Sequence, residues 1–170
     1  MQKSMPNLWF RLMALEYRIK SRSKNAEQEL QAAGIRRGMA VLDFGCGPGR
    51  YTIPAARIVG REGVVHAMDV HPLAIRFVQK KAEEEGLSNV HAIRSDCQTR
   101  LESDSMDVVL LYDALHDMED KESVLREIYR VLKPEGRLLY KDHTNLVSLM
   151  LSSGFCLSRE TPAQFALTKY

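Results

Sequence analysis

The stretch that most constrains this chain is residues 41–50, which read VLDFGCGPGR. An apolar run ends at Asp43 and Phe44, and glycines then alternate with other residues before a helical pattern begins. The apolar run predicts a buried strand. The glycines predict a turn whose backbone takes positive φ and comes close to a ligand. The helix that follows would offer unpaired N–H groups and a positive dipole end to an anionic group. The alternative is an ordinary glycine-rich turn between a strand and a helix.

Strand-like and helix-like segments alternate along the rest of the chain. Strands are predicted at 39–44, 64–68, 90–94, 107–111, 137–141, 155–160 and 164–169. Helices are predicted at 24–33, 50–59, 72–85, 121–132 and 146–153, with a turn at 133–136. Successive βα units with right-handed crossovers build a mostly parallel, doubly wound α/β sheet. The last two strands are joined too closely for a crossover, so they must pair antiparallel.

The length and the charge of the chain limit the function classes. A chain of 170 residues predicts one domain with a substantial core, here a helical segment 1–34 before a core 35–170. The net charge of +2 gives little reason to expect nucleic-acid binding. Residues 1–24 are basic, however, with six lysines or arginines against the single acid Glu16. This favours a solvated helix face, with an anionic partner or surface as the alternative.

The cysteines and the apolar runs indicate the compartment. Cys46, Cys97 and Cys156 show no C-x-x-C spacing, which argues against zinc and disulfide frameworks. The pattern favours a reduced, cytoplasmic setting. Charges interrupt the N-terminus, unlike a signal peptide, and no run approaches a membrane span.

Residues 7–20 predict an amphipathic helix with an apolar stripe that includes Leu8, Trp9 and Leu12. Such a stripe is expected to pack on the domain as a flap or lid. A weak membrane-surface contact is the alternative, because aromatic and basic residues together suit an interface.

Three acids fall at the carboxyl ends of predicted strands: Asp43, Asp69 and Asp96. In open α/β sheets the ligand lies across those ends. The sequence spacing from Gly49 to Asp69 is that of a carboxylate that accepts hydrogen bonds from both ribose hydroxyls of a bound nucleotide. Each acid alone could cap a helix, but three in successive strands point to a nucleoside ligand.

The segments VLDFGCGPG, HAMDVHPLAI, SDCQT, DVVLLYDALHDM and LREIYRVLKPEGRLL resemble class I S-adenosylmethionine (SAM) methyltransferases. Within that class they look like the ubiquinone/menaquinone-methyltransferase-like group of small-molecule enzymes. The resemblance implies a Rossmann-like seven-stranded sheet of order 3-2-1-4-5-7-6 with strand 7 antiparallel. It also implies SAM as cofactor, S-adenosylhomocysteine as product and a small-molecule acceptor. The loop after the fifth strand is short for a substrate lid, so the lid falls to the N-terminal helices, with a homodimer partner left open.

The resemblance also assigns roles to single residues. It places Asp43 and the loop residues at the methionine part, Asp69 and Val70 at the ribose, Asp96 and Cys97 at the adenine, and Tyr112 beside the methionine. The loop residues are Gly45, Cys46, Gly47 and Gly49.

His116 is the first candidate for a general base, because an unperturbed histidine titrates near neutral pH. It follows the fourth strand, and Asp113 and Asp117 flank it; if this segment is helical, Asp113 lies one turn away and could orient the ring. A packing or capping histidine is the competing interpretation, and His143 is the weaker candidate. No familiar spacing supports a metal site at His116, Asp142 and His143, so no metal is expected.

Two other functions remain open. A binding module could hold SAM or its product without turnover, as a subunit of a larger complex. An NAD-dependent oxidoreductase is disfavoured, because the third glycine comes one residue earlier than in a dinucleotide loop.

Overall fold

The computed structural model describes residues 24–161 and 164–170. In these ranges seven strands form one sheet, in the order β3-β2-β1-β4-β5-β7-β6. The strands are β1 (Ala40–Phe44), β2 (Val64–Asp69), β3 (Val90–Arg94), β4 (Met106–Tyr112), β5 (Leu132–Lys141), β6 (Phe155–Thr161) and β7 (Gln164–Lys169). Neighbours among β1–β5 pair in parallel, whereas β7 runs antiparallel to β5 and β6. The predicted strand order and the antiparallel last strand are confirmed.

Helices cover both faces of the sheet. They are α1 (Lys24–Ala32), α2 (Thr52–Val59), α3 (Pro72–Glu84), α4 (Lys121–Val131) and α5 (Val147–Ser152), with a short 3₁₀ helix at Leu115–Asp117 that the sequence did not predict. The helix predicted at 7–20 lies outside the described residues. No helix in the described ranges is long and apolar enough to cross a bilayer.

The central strand β4 shows why its sequence is apolar without interruption. Val108 and Leu110 pack into the core under α1 and α2, whereas Val109 and Leu111 pack into the core under α4 and α5. Both faces of β4 are therefore buried, as expected for a strand between two helical layers.

The turn predicted at 133–136 is wrong as a boundary. α4 ends at Val131, and β5 begins at Leu132 and continues through residues 133–136 to Lys141. Met106 pairs with Leu132 while Val108 pairs with Arg137, so residues 133–136 lie opposite Asp107 alone and interrupt the ladder where the turn was predicted. The pairing of Leu132 with β4 before this interruption is a tertiary contact that local turn chemistry does not reveal.

Candidate functional site at the carboxyl edge of the sheet

The loop between β1 and α2 holds three glycines at positive φ, with values of 79° at Gly45, 50° at Gly47 and 82° at Gly49. A Cβ on Gly45 would lie 2.6 Å from the Cβ of Ala114, and one on Gly49 would lie 3.0 Å from Val78 Cγ2. A Cβ on Gly47 would meet no atom of the described residues within 4 Å. Packing therefore excludes a Cβ at Gly45, and a Cβ at Gly49 would require Val78 to shift slightly, whereas Gly47 leaves open space above the backbone.

Asp69, the last residue of β2, joins this loop to the start of α3. Its Oδ2 accepts the Gly47 N–H at 2.9 Å, and its Oδ1 accepts the His71 N–H at 2.7 Å. Burial raises the pKa of Asp69, and these backbone hydrogen bonds act in the opposite direction. His71 itself caps α3, because its Nδ1 accepts the Leu73 N–H at 3.1 Å. The Asp69 carboxylate is thus held at the rim of the glycine loop, where hydroxyl groups of a ligand could reach it.

Asp43 lies beneath the same loop and is only 3% exposed. The Thr52 hydroxyl in the first turn of α2 donates to its Oδ2 at 2.5 Å. Burial raises the pKa of Asp43 to about 7, against the lowering effect of the Thr52 hydrogen bond and with a further increase from Asp69. A buried carboxyl of this kind is stabilised in its charged form by a cationic neighbour.

The predicted adenine residues lie just beyond β3. Asp96 is exposed and Cys97 is half-buried. The Ser95 N–H donates to the Asp69 carbonyl at 3.2 Å, which holds this segment beside the end of β2. The structure therefore brings Asp43, the glycine loop and Asp69 together and places Asp96 at the neighbouring strand end, as the strand-end argument predicted.

Backbone hydrogen bonds of the other predicted loop residues attach the glycine loop to β2. Cys46 is buried, and its N–H and that of Gly45 both donate to the Met68 carbonyl, at 2.9 and 2.8 Å. These two bonds fix the start of the loop to β2. Val70 is half-buried beside Asp69.

The ends of β4 and β5 carry a second group of polar side chains. Tyr112 and Lys141 are opposite each other in the β4–β5 register. The Tyr51 ring packs edge-on against the Tyr112 ring with centroids 4.7 Å apart, and Lys141 Nζ lies 5.9 Å from both centroids. Glu29 of α1 completes the group, because its carboxylate is 2.7 Å from Lys141 Nζ and accepts the Tyr51 hydroxyl at 3.2 Å.

Sequence reasoning identified only Tyr112 in this group. Lys141 could have been found as the last residue of a strand whose carboxyl end reaches the site. Glu29 carries no sequence signal, because only the packing of α1 against the sheet brings it there.

The Tyr112 hydroxyl stands out because it is buried without a partner. The residue is 5% exposed, and no described residue forms a hydrogen bond with its hydroxyl. Burial raises its pKa, with a smaller contribution from Glu29. Leaving a buried polar group unsatisfied costs about 1–3 kcal/mol, so such an atom in a native fold calls for an explanation such as a ligand.

His116 lies in the 3₁₀ turn after β4, and its Nδ1 is 2.9 Å from Asp142 Oδ2. Asp142 follows β5 directly, its side chain is fully buried, and its Oδ1 accepts the Thr144 N–H at 3.1 Å. Burial alone would raise the pKa of Asp142, but the hydrogen bonds from His116 and from the Thr144 N–H outweigh it, so this pKa is lowered. Asp142 is therefore an anion that orients the imidazole.

The prediction that Asp113 orients His116 is wrong. Asp113 has φ of 49° and does not continue a helix, so the expected one-turn spacing does not exist. Asp117 does lie near the ring, with Oδ2 3.3 Å from Nε2 of His116. The true orienting acid comes from the next strand, because β4 and β5 are neighbours and their carboxyl ends lie side by side.

His143 lies on the other side of Asp142. Its Nδ1 is 3.3 Å from Asp142 Oδ1, and its ring packs edge-on against that of His116 with centroids 4.1 Å apart. The ligating atoms of these three residues lie within 4.8 Å of one another. Their spacing in the sequence did not reveal this proximity, because it is the pairing of β4 with β5 that brings the loops after these strands together.

A strand-end acid on β2, a glycine loop after β1 and a sheet of this order are together typical of a Rossmann-like fold that binds a nucleotide-type ligand. A profile of the methyltransferase-domain family matches residues 35–166. The chain belongs to this family, and the resemblance to class I SAM-dependent methyltransferases is confirmed.

The chain is similar to curated methyltransferases from bacteria. It is 33% identical to the ubiquinone/menaquinone biosynthesis C-methyltransferase UbiE of Idiomarina loihiensis over 125 residues, which is 72% of this chain and 50% of that protein. The enzyme of the same name from Klebsiella pneumoniae is 31% identical over 128 residues, which is 74% of this chain and 51% of that protein. The chain thus spans about half the length of these relatives.

The fold is also that of a solved SAM-dependent methyltransferase from Aquifex aeolicus. The two superpose with a TM-score of 0.77 at 23% identity, over 92% of this chain and 97% of that one. At this identity the similarity shows the shared fold.

Proposed function

We propose that the protein transfers a methyl group from SAM to a small-molecule acceptor. SAM supplies a methyl group on a positively charged sulfur. The observation that carries the proposal is the pair of strand-end acids, the buried Asp43 and the half-buried Asp69, on either side of a glycine loop that is open at Gly47.

The residues around the loop fit such a ligand. In the proposal, the Asp69 carboxylate accepts the ribose hydroxyls beside Val70, and Asp43 faces the ammonium of the methionine part. Asp96 accepts from the adenine amino group beside the Cys97 N–H, and Tyr112 borders the methionine. The buried Tyr112 hydroxyl, without a partner among the described residues, supports a ligand at this edge.

In this proposal His116 is the catalytic residue that takes a proton from the acceptor as the nucleophile attacks. Asp142 holds the ring through Nδ1, at 2.9 Å. In that tautomer Nε2 is the atom that accepts the proton, and Asp117 would stabilise the imidazolium from 3.3 Å. The acids at the loop hold the ligand so that its methyl group is positioned for the acceptor.

We further propose that residues 1–20 cover the acceptor as a lid, and that the protein works in the cytoplasm. Their predicted helix lies outside the described residues, so the support is its apolar stripe alone.

Deleting residues 1–20 should then leave S-adenosylhomocysteine affinity intact and impair turnover. A loss of activity only on vesicles would favour the membrane-surface contact instead, and a change in mass by light scattering would reveal a homodimer that this segment supports.

The proposal is tested by two measurements. Calorimetry should show binding of S-adenosylhomocysteine and SAM but not NAD, and labelled SAM should be consumed with a metabolite extract, with the product identified by mass spectrometry. Binding without transfer would favour the non-catalytic module. Because the relatives are named for ubiquinone and menaquinone biosynthesis, quinone-type compounds are the first pure acceptors to test.

A further inference from the structure

We propose that Lys141, Tyr51 and Tyr112 form a subsite for an oxyanion of the acceptor, a carboxylate or an ionised phenol, which Glu29 fills in the ligand-free protein. We call these four residues the Lys141 cluster. The inference rests on the proposed methyl transfer, and it goes further by naming the chemistry of the acceptor.

One hydroxyl of the cluster lacks a hydrogen-bond partner, whereas the other polar groups are paired. The Lys141 ammonium and the Tyr51 hydroxyl both donate to the Glu29 carboxylate, at 2.7 and 3.2 Å, and the Lys141 ammonium also donates to the Tyr51 hydroxyl oxygen at 3.4 Å. The Tyr112 hydroxyl is buried in the same group and has no partner in the described part of the chain. A ligand that brings an anionic oxygen would satisfy this hydroxyl and the ammonium together.

The position of the cluster favours the acceptor over the nucleoside. The glycine loop and the acids proposed to hold the cofactor lie at the ends of β1 and β2. Lys141 ends β5, which lies beyond β4 in the sheet. Adjacent strands are about 4.8 Å apart, which places the Lys141 backbone roughly 10 Å from the end of β1. His116 follows β4 and Asp142 follows β5, so the proposed base and Lys141 border the same part of the edge.

Glu29 behaves as a stand-in for the ligand. It belongs to α1 and not to the sheet, and it supplies the carboxylate that Lys141 and Tyr51 both bond. The Lys141 and Glu29 side chains are 29% and 26% exposed, so their pairing is not fully screened by water. An entering oxyanion has to displace this carboxylate, which means that Glu29 competes with it.

The carboxylate of the SAM methionine part is a second source of the same chemistry, so the test separates the two. The protein is saturated with S-adenosylhomocysteine and titrated by calorimetry with benzoate and with benzamide, which share a flat ring and differ in charge. The variants are Lys141→Met, Tyr112→Phe and Glu29→Gln. Lys133→Met is the matched control, because Lys133 lies near the other end of β5 in an ion pair with Asp107 at 2.6 Å.

We expect the wild type to bind benzoate about tenfold or more tightly than benzamide, the scale of a charge-assisted hydrogen bond. Lys141→Met should abolish this preference, Tyr112→Phe should reduce it, and Lys133→Met should keep it. Glu29→Gln should increase it, because the competing negative charge is gone. Since Glu29→Gln acts in the opposite direction to Lys141→Met, a general loss of structure cannot imitate both results.

The inference is overturned if the wild type shows no preference for benzoate, or if Lys141→Met retains it. It is also overturned if Lys141→Met weakens S-adenosylhomocysteine binding about tenfold, the same scale, because the cluster would then serve the cofactor carboxylate. If the wild type fails to bind S-adenosylhomocysteine or to transfer label, that result counts against the proposed function. In that case the preference of the protein for benzoate, measured without S-adenosylhomocysteine, still decides this inference.

Discussion

The two halves of the carboxyl edge are built differently. At β1 and β2, the Asp69 carboxylate is fixed by backbone N–H groups of Gly47 and His71, in loops that adjoin those strands. At β4 and β5, the polar contacts join side chains that are distant in sequence, such as Lys141 with Glu29 and His116 with Asp142.

This difference matters for function. Backbone donors do not depend on which side chains the donating residues carry, so the first half suits a ligand that stays the same while the sequence changes. Side-chain pairs can be replaced without changing the fold, so the second half suits an acceptor that differs between proteins. Four predictions test this division.

The largest effect is expected in the second half. His116→Asn removes the proposed proton acceptor, and general bases contribute about 10²–10⁴-fold, so kcat should fall on that scale. Affinity for S-adenosylhomocysteine and Tm should stay near those of the wild type. Steady-state kinetics with the identified acceptor measure the first effect, and calorimetry and thermal unfolding the second.

His143→Asn is the matched control, because His143 faces the same Asp142 carboxylate from a more exposed position. We expect it to change kcat little. An equal loss in both histidine variants, or a fall in Tm for His116→Asn, would assign His116 a packing role.

The next largest effect is expected in the first half. Asp69→Ala removes the acceptor proposed for two ribose hydroxyls, and hydrogen bonds to charged groups are worth about 1.5–3 kcal/mol each. S-adenosylhomocysteine should therefore bind about 100-fold more weakly, measured by calorimetry. Asp96→Ala should have a smaller effect, because Asp96 is exposed. Unchanged affinity in Asp69→Ala would reject the ribose assignment.

A pH dependence should follow from Asp43. Its pKa is raised to about 7 in the folded protein, from 3.8, chiefly by burial. The stabilisation from its protonated form is complete below the unfolded pKa and is lost as the pH rises through 7. An ammonium group of the ligand favours the charged form. Affinity for S-adenosylhomocysteine should therefore fall as the pH drops below 7, by up to about tenfold per pH unit.

Calorimetric titrations between about pH 5 and about pH 8 measure this dependence, and proton release should accompany binding below pH 7. Asp43→Asn cannot ionise and should give a flatter profile. A wild-type profile as flat as that of Asp43→Asn would show that the ammonium does not face this acid.

The smallest effect separates stability from binding within the glycine loop. Gly45→Ala would place a Cβ 2.6 Å from Ala114, and overpacking costs about 1–3 kcal/mol on top of the about 1–2 kcal/mol of a left-handed residue, so urea unfolding should show the larger stability loss here. Gly47→Ala meets no described atom within 4 Å and should lose only the cost of a left-handed residue, about 1–2 kcal/mol. Its Cβ should instead weaken S-adenosylhomocysteine binding. The reverse order of stabilities would contradict the packing of this loop.

The sequence alone determined the fold class and the first half of the site. Apolar runs, glycines and strand-end acids are local signals, and Asp43, the glycine loop and Asp69 adjoin strands that are neighbours in the sheet. Their meeting therefore follows from the parallel order that the βα pattern predicts.

Only the tertiary structure decided the second half. Asp142 replaces Asp113 as the partner of His116, and Glu29 reaches Lys141, because β4 lies beside β5 and α1 packs on the same edge. The same pairing extends β5 back to Leu132, on the other side of the predicted turn at 133–136. Contacts between distant segments depend on which elements become neighbours and at what register, and no local pattern in the chain encodes either.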